Sequence, residues 1–409
     1  MQDIRDDEVT RDVVAGALAA LRPGDGARVV HVGDPSDPAV AALAAGGAAV
    51  EVLDPAGAAA ALEPGAYDVV HLAVRDPIAP ADAVALAGAL GAAPTAGGDV
   101  LARWPVHPEG PDLDDVFAAF CAREGIEVDE VDFAETPTGH VALVVAHVPG
   151  AGAPLPPRRP FPQRVGVLEV VEAVALTPAM RRLVLTSPAL ASLRVDEPGE
   201  IITLVWPSAG ADLVLPEEGR WRFPDDAPAQ QVRNYTVRAF DRGALRITID
   251  FFLHDEPGHA GDWAARAVPG DAVGFGGTRT HWVTDPAASW SLLVADETGL
   301  PALAAIAESR PAGHRTVAVV EVADEAEGPA LPSGDGLEVR AVYRRDRAPG
   351  VDSGLPAALA GLVLPEGRGQ VWVAAETHVV SALRNHLLRE RGFPRDLLAA
   401  VGYWHRDHD

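Results

Sequence analysis

The chain contains no lysine and a single cysteine, and each shortage excludes a class of chemistry. With Cys121 as the only thiol, no disulfide can form within the chain, and a cysteine-ligated iron–sulfur cluster, which needs several thiolates, is excluded. Cys121 lies in an apolar helical pattern, which favours a packing role over a nucleophilic one. Without lysine, any anion site must use arginine, histidine or backbone amides.

Long apolar runs and excess positive charge are also missing. No run is long enough to span a membrane, and the first eight residues are acidic, unlike a secretory signal. The formal net charge of −26 disfavours nucleic acid and anionic membranes as partners, because both are polyanions. We therefore expect a cytoplasmic protein that neither binds nucleic acid nor inserts into a membrane.

The patterning predicts a multidomain protein, since 409 residues suffice for two or three domains. Residues 1–150 alternate helix patterns with strand patterns over 28–32, 49–53, 67–74 and 99–103, which indicates an α/β Rossmann-like domain. A proline-rich linker over residues 151–163 breaks both helix and strand. Residues 164–287 predict a six-stranded antiparallel β-barrel, and residues 288–409 predict a second α/β domain. The six barrel strands are predicted over 164–175, 180–186, 201–206, 231–239, 244–252 and 271–275.

The order of elements in the first 150 residues resembles the class I S-adenosylmethionine-dependent methyltransferases. Both end in an antiparallel hairpin, predicted here over 126–133 and 140–147. That family has a glycine-rich turn after the first strand, whereas residues 33–38 contain one glycine and two prolines. Asp54 could hold a ribose. We favour a degenerate, non-catalytic domain, with an active methyltransferase as the alternative.

The strongest functional signal is the segment Arg-Asn-Tyr-Thr-Val-Arg over residues 233–238, which predicts a strand. Alternation along that strand would place Arg233, Tyr235 and Val237 on one face. An aromatic ring between arginines suits a ligand that is flat at one end and anionic at the other. The other interpretation is a barrel strand with solvated arginines. Further on, residues 258–261 precede a helix, whose free N–H groups and dipole favour a second contact with an anion.

Several motifs, in this order along the chain, resemble those of a known protein family. They are Arg233-x-Tyr235-Thr236-x-Arg238, Phe252-x-His254, Gly258-x-Ala260-x-x-Trp263-Ala264 and Pro269-Gly270-Asp271. Together they resemble the siderophore-interacting proteins, which are FAD-containing ferric-siderophore reductases of the ferredoxin–NADP reductase superfamily. The resemblance runs from about residue 164 to residue 404. It implies an FAD-binding barrel followed by an NAD(P)-binding-like domain.

The resemblance also implies roles for individual residues. Tyr235 would stack on the isoalloxazine, Thr236 would bond near its reactive nitrogen, and Arg233 would hold the pyrophosphate. For Trp263, packing of its helix onto the barrel is an interpretation at least as good as a place in the flavin site. No residue is assigned a covalent role, because the flavin supplies the redox chemistry. The implied cofactor-binding residues are Arg233, Tyr235, Thr236, Val237, His254, Gly258, Ala260, Gly261, Thr298, Tyr403 and Trp404.

The chain departs from the family pattern at several positions. Asp255 and Gly261 replace a usual Gly and a usual Ser or Thr, and His259 replaces a usual Pro. The turn at residues 276–279 lacks its Pro, and Ala375 replaces a Gly. These changes leave open a second hypothesis, in which the chain is a non-catalytic or partner-docking fusion with a degenerate flavin site.

The C-terminal third predicts a dinucleotide crevice, because strand–turn–helix units place their turns at one edge of a parallel sheet. It contains no G-x-G-x-x-G, so the electron source stays open between NADH, NADPH and a protein donor. Tyr403 and Trp404 could cover the flavin or pack the last strand. His405 and His408 are read as solvated, and no metal site is predicted.

The expected substrate is a ferric siderophore. Since the chain has no lysine, arginines must attract this anionic chelate, and the candidates are Arg344, Arg345 and Arg406, with Arg347 beside them. Asp296 and Glu297 are interpreted as turn and cap residues and not as a general acid–base pair.

Overall fold

The computed structural model divides the chain into two compact units, which we call unit 1 (residues 1–155) and unit 2 (residues 156–409). In the part of the chain that it describes, no helix is long and apolar enough to cross a membrane. The predicted helix at 112–124, Cys121, Asp255, His405 and His408 lie outside the described residues. The described residues are 27–45, 48–73, 80–106, 127–136, 139–147, 162–219, 221–224, 226–254, 258–280, 282–404 and 406.

Unit 1 is a six-stranded sheet with helices between its parallel strands. Its elements are β1 (Arg28–Gly33), α1 (Pro38–Ala45), β2 (Ala49–Leu53), α2 (Pro55–Ala61), β3 (Tyr67–Ala73), α3 (Pro80–Ala92), β4 (Pro94–Val106), β5 (Glu127–Thr136) and β6 (Gly139–His147). The strand order is β2-β1-β3-β4-β6-β5. The first four strands are parallel, and β6 pairs antiparallel with β4 and β5. This is the mostly parallel sheet with a closing hairpin that the sequence predicts.

Two histidines are buried in the sheet of unit 1. Alternate residues of β1 and β3 enter an apolar core with α2 and α3. The other face carries His31 and His71, which lie in register on the two strands. Their Nδ1 atoms are 2.8 Å apart. Burial lowers the pKa of His71 to about 4, so the ring is neutral at neutral pH.

Unit 2 begins with a curled antiparallel sheet of seven strands in the order β10-β9-β13-β7-β8-β12-β11. The predicted six strands are all present, but the strand expected over 231–239 is divided. After Thr236 the chain bends: the Val237 N–H donates to Glu200 O and the Arg238 N–H to Thr248 O. The strands are β7 (Arg164–Ala175), β8 (Met180–Thr186), β9 (Ile201–Pro207), β10 (Gln230–Thr236), β11 (Ala239–Asp241), β12 (Arg246–Phe252) and β13 (Ala272–Arg279).

One helix, α4 (His259–Arg266), packs on this sheet. Ala260 and Ala264 on its inner side are buried. The Trp263 ring centroid lies 5.7 Å from that of Trp206 and 6.1 Å from that of Phe251. Trp263 therefore packs the helix onto the sheet, which was one of the two interpretations of this residue.

The C-terminal part of unit 2, which we call the lobe, is a five-stranded parallel sheet in the order β16-β15-β14-β17-β18. Every residue of β14 and β17 is buried, as expected for parallel strands covered on both faces. The chain moves outward from β14 to β16 and then returns to the other side of β14, so the topological switch point lies between β14 and β17. The lobe contains β14 (Trp290–Ala295), α5 (Leu300–Glu308), β15 (Arg315–Val322), β16 (Leu337–Tyr343), α6 (Leu355–Ala360), β17 (Gly369–Glu376), α7 (Thr377–Asn385) and β18 (Leu398–Trp404).

Polar and apolar contacts fix the lobe against the curled sheet. Buried Glu327 of the lobe accepts hydrogen bonds from the Thr177 hydroxyl and, at 3.2 Å, from the Ala179 N–H. Arg238 donates to Glu308 of α5. The apolar side chains of Met180 and Phe252 pack into a core of the lobe. These contacts fix the position of the lobe relative to the curled sheet, and therefore the shape of the cleft that lies between them.

Candidate functional site

A cleft of about 380 Å³ opens between the curled sheet, α4 and the carboxyl edge of the lobe. Small-molecule sites typically occupy about 300–1,000 Å³. Ten of the eleven predicted cofactor-binding residues line it: Arg233, Tyr235, Thr236, His254, Gly258, Ala260, Gly261, Thr298, Tyr403 and Trp404. These residues come from β10, the segment after β12, the start of α4, the turn after β14, and β18, and folding brings them together.

Tyr235 forms an aromatic wall of the cleft. Its strand is held by β9, with Tyr235 opposite Ile202. The Tyr235 ring centroid lies 4.3 Å from that of Phe251, so one side of the half-buried ring packs on the core while the residue lines the cleft. Burial raises the pKa of Tyr235 to about 12, so its phenol is neutral. A neutral ring beside open space can stack on a flat ligand.

Val237 is the predicted cofactor residue that the structure does not place in the cleft. Its side chain is 3% exposed and belongs to the core of the curled sheet. The reason is that β10 ends at Thr236, so the alternation of faces assumed for 233–238 does not continue. Asn234 and Thr236 line the cleft together with Tyr235, which means that both faces of the strand end contribute.

Two arginines supply positive charge to the cleft. Arg233 is exposed, and its guanidinium donates to Val232 O at 2.7 Å. Arg279, at the end of β13, donates to Thr203 Oγ1 at 3.2 Å. Burial lowers the pKa of Arg279 to about 10, which leaves it cationic at neutral pH. The motifs assigned no role to Arg279; its place at the end of the turn at 276–279 was the available signal.

Arg238, the last arginine of the 233–238 segment, has a different role. It lies 3.8 Å from Asp250, a carboxylate that lines the cleft, and it pairs with Glu308. Arg182 donates to both oxygens of Asp250, at 2.6 and 2.7 Å. Hydrogen bonding to Asp250 raises the pKa of Arg182. The charge of Asp250 is therefore compensated, which lets a carboxylate border a site with cationic walls.

The amino end of α4 provides backbone donors. Gly258 is the N-cap, with extended backbone at φ −72° and ψ 177°. Gly258, Ala260 and Gly261 line the cleft, and first-turn N–H groups have no acceptor within a helix. The dipole of α4 adds partial positive charge at the same place. His259 also lines the cleft, with its ring centroid 6.2 Å from that of Trp206.

The lobe contributes the opposite wall. Tyr403 and Trp404 both line the cleft, so the tail aromatics do more than pack the last strand. Burial raises the pKa of Tyr403 to about 12. Asp296 accepts hydrogen bonds from the Thr298 N–H at 2.9 Å and the Trp404 indole N–H at 2.8 Å. Burial raises the pKa of Asp296, and its contacts with Thr298 are turn chemistry of the kind that the sequence predicts.

The predicted substrate arginines do not line the cleft. Arg344 is 10% exposed and hydrogen-bonds Glu297, which is itself buried, so its guanidinium does not face solvent as a free attractor of anions. Arg345 is exposed and grips Glu325 with both terminal nitrogens. Arg406 donates its backbone N–H to Glu376 at 3.4 Å. Arginines in this acidic chain meet carboxylates that are distant in sequence, which a local pattern does not reveal.

Ala375, one of the departures from the family pattern, also lies away from the cleft. Ala375 was expected to add a methyl group where a ligand approaches the lobe. The structure places Ala375 in the lobe core at 1% exposure, away from the cleft lining. Its methyl group therefore leaves the surface of the cleft unchanged.

Comparisons with known proteins match the cleft-forming part of the chain. Residues 169–282 match the model of the siderophore-interacting FAD-binding domain, and residues 288–407 match the model of the siderophore-interacting protein. The NADPH-dependent ferric-chelate reductase of Escherichia coli is 31% identical over 258 residues, which cover 60% of this chain and 97% of that protein. The chain belongs to the siderophore-interacting protein family.

A solved structure supports the fold of unit 2. The crystal structure of a siderophore utilization protein from T. fusca is 36% identical, with a TM-score of 0.57, and the match covers 62% of this chain and 97% of that one. An uncharacterised protein of Mycobacterium tuberculosis is 36% identical over 185 residues, or 43% of this chain. The chain spans 65% of the length of that mycobacterial relative.

FAD, the cofactor named by the family model, fits the donor set of this cleft. The isoalloxazine needs a flat surface, which Tyr235 offers. The diphosphate needs cations and N–H donors, which Arg233, Arg279 and the amino end of α4 supply. The departures at His259 and Gly261 retain backbone N–H groups at both positions, so the cradle keeps its main-chain donors.

Proposed function

We propose that this protein reduces ferric siderophores to release Fe(II), using FAD and electrons from NADPH or NADH. The proposal rests on one observation, which is that two surfaces from different parts of unit 2 line the same cleft. An aromatic and cationic surface on the curled sheet meets the carboxyl edge of a parallel sheet at its switch point. Relatives named NADPH-dependent ferric-chelate reductase, in Escherichia coli, and ferric vibriobactin reductase, in Vibrio cholerae, support it.

In this proposal each cleft residue has one task. Tyr235 stacks on the flavin ring and Thr236 hydrogen-bonds its edge. Arg233, Arg279 and the N–H groups at 258–261 hold the diphosphate. A bound flavin accepts a hydride and releases electrons singly, which suits Fe(III). In the overall balance one hydride from the nicotinamide reduces two Fe(III) ions to Fe(II) and leaves one proton.

The nicotinamide nucleotide is proposed to bind outside the carboxyl ends of β14 and β17. Parallel sheets bind dinucleotides at such switch points. Thr298 and Pro301, after β14, line the cleft and would border this ligand. A protein electron donor stays as the alternative source.

The ferric siderophore is proposed to approach the mouth of the cleft, where the His254 and Trp404 ring centroids are 6.4 Å apart. Of the predicted substrate arginines, Arg406 follows Trp404 closely and stays our candidate for attracting the anionic chelate. Arg345 stays a weaker candidate because Glu325 neutralises it.

We further propose that the curled sheet closes as the six-stranded barrel of the flavin-binding domain. Its two edge strands, β10 and β11, are separated by only Val237 and Arg238, and together they form one bent strand.

For unit 1 we propose a non-catalytic role. Its one turn glycine, Gly33, is committed to packing, since a Cβ there would lie 2.5 Å from Ala73 O. Binding of S-adenosylmethionine by the full chain in calorimetry would refute that role.

The proposed activity is tested with purified protein, NADPH or NADH, a ferric siderophore and an Fe(II)-specific chromophoric trap. We expect a yellow protein with flavin absorbance and trapped Fe(II) that increases with nucleotide and with protein. Protein reconstituted with FAD is the control for cofactor lost during purification. A reconstituted protein that binds no flavin would instead support the degenerate-site hypothesis. Flavin binding without trapped iron from any donor would refute the ferric substrate.

A further inference from the structure

Asp296 joins three strand ends on the lobe side of the cleft. It follows β14 directly and is 6% exposed. Its Oδ1 accepts from the Thr298 N–H at 2.9 Å, the Thr298 hydroxyl at 2.5 Å and the Gly299 N–H at 3.4 Å. Its Oδ2 accepts from the Glu376 N–H at 3.1 Å and the Trp404 indole N–H at 2.8 Å. All five partners donate, and an ionised carboxylate is the side chain that only accepts.

Trp404 is constrained on several sides. Its carbonyl accepts from the Thr377 hydroxyl at 3.0 Å. A Cβ on Gly350 would lie 3.1 Å from Trp404 Cη2, so the backbone after β16 packs directly against the outer edge of the ring. Trp404 also lines the cleft, where its ring centroid lies 6.4 Å from that of His254. The indole has one polar atom, and its hydrogen bond to Asp296 selects the orientation of the ring.

We infer that Asp296 is a positioning residue whose carboxylate fixes the Trp404 indole as the lobe-side wall of the FAD cleft. The inference rests on the proposed function, because that function makes the cleft an FAD site. Two of the five bonds run from β14 to β17 and β18, so Asp296 does more than cap the turn before α5. Asp296 is not among the residues that line the cleft, and it acts on the cofactor through Trp404.

A double-mutant cycle tests the inference. Asp296→Asn keeps the shape but places an amide donor against donors, and Trp404→Phe keeps a ring without the indole N–H. Each single change is expected to raise the Kd of FAD about tenfold, as for loss of one hydrogen bond to a charged group. In the double variant the Kd of FAD is expected to rise about 10- to 20-fold and not about 100-fold, because both changes remove the same contact. The visible circular dichroism of bound FAD should change in Asp296→Asn, and adding Trp404→Phe should change it little further.

Trp290→Phe is the matched control. The Trp290 indole N–H donates to Gly367 O at 3.2 Å, at the other end of β14. Trp290→Phe and Asp296→Asn should act independently, so the fold-change in the Kd of FAD for this pair should equal the product of the two single fold-changes. Independent effects of Asp296→Asn and Trp404→Phe, in the Kd and in thermal unfolding of flavin-free protein, would overturn the inference. If the wild type binds no FAD, the proposed function fails, while the unfolding cycle still decides whether Asp296 and Trp404 are coupled.

Discussion

Replacing both Arg233 and Arg279 with methionine is expected to raise the Kd of FAD about 1,000-fold. The two guanidiniums supply the cationic side chains that we assign to the FAD diphosphate in an acidic chain without lysine. Each charge-assisted contact contributes about 1.5–3 kcal/mol, and two such losses correspond to about three orders of magnitude. Methionine retains the apolar stem, so packing around the half-buried Arg279 is largely kept. Titration of FAD against the apoprotein, followed by flavin fluorescence, measures the change.

Arg345→Met is the control for loss of positive charge. Arg345 is exposed and paired with Glu325, away from the cleft lining. We expect its Kd for FAD to stay within about threefold of wild type, because exposed ion pairs contribute little. FAD binding should also weaken with added salt, and less steeply in the double variant. A wild-type Kd in the double variant would show that the diphosphate lies elsewhere.

Acidification is expected to destabilise unit 1 by about 3 kcal/mol between pH 6.5 and pH 4. His71 has its pKa lowered by burial from 6.5 to about 4. Above pH 6.5 the ring is neutral in both the folded and unfolded chain, so stability does not change. Between pH 6.5 and 4 the unfolded chain binds a proton that the folded chain refuses, and the free energy of unfolding falls as pH falls. His31, whose pKa burial also lowers, acts in the same direction.

The geometry gives a second reason for this acid sensitivity. The two Nδ1 atoms are 2.8 Å apart, so one ring must donate and the other accept. A second proton would place two donors face to face inside the sheet. Native-state hydrogen exchange of the full chain, corrected for intrinsic exchange at each pH, measures the opening free energy of peptides from β1 and β3.

Two variants make the measurement decisive. In the His31→Leu/His71→Leu double variant the pH dependence in unit 1 should flatten, because apolar side chains replace a buried polar pair. His378→Leu changes a histidine of unit 2 whose side chain is 53% exposed, and it should leave the response of unit 1 unchanged. Persistence of the full acid response in the double variant would assign it to other groups.

Local patterns predicted much of the secondary structure. The strands at Ala49–Leu53 and Met180–Thr186 have the predicted bounds, because short runs of β-forming residues are delimited there by turn residues. The division of 231–239 was not predicted. It follows from a bend after Thr236: the Val237 N–H still donates to Glu200 O beside β9, whereas the Arg238 N–H donates to Thr248 O of β12. Those acceptors are distant in sequence from residues 231–239, and a single segment does not reveal them.

The cleft shows the same limit. Motif order identified ten of its residues, because the glycines, the Tyr-Thr pair and the tail aromatics stand in characteristic local sequences. Arg279 was missed because it reaches the cleft through the pairing of β13 with β9. The pairing of Arg344, a predicted substrate residue, with Glu297 was not predicted, because the two residues are distant in sequence.

The amino-acid sequence by itself determined the α/β, β and α/β succession and the types of residue available to bind an anion. Both depend on near neighbours and on composition, which a linear pattern records. Only the tertiary structure decided which arginines reach the cleft and which pair with acids, and that Asp296 holds Trp404 across three strand ends. Those outcomes depend on contacts between distant segments, whose geometry is set when the sheet and the lobe pack together.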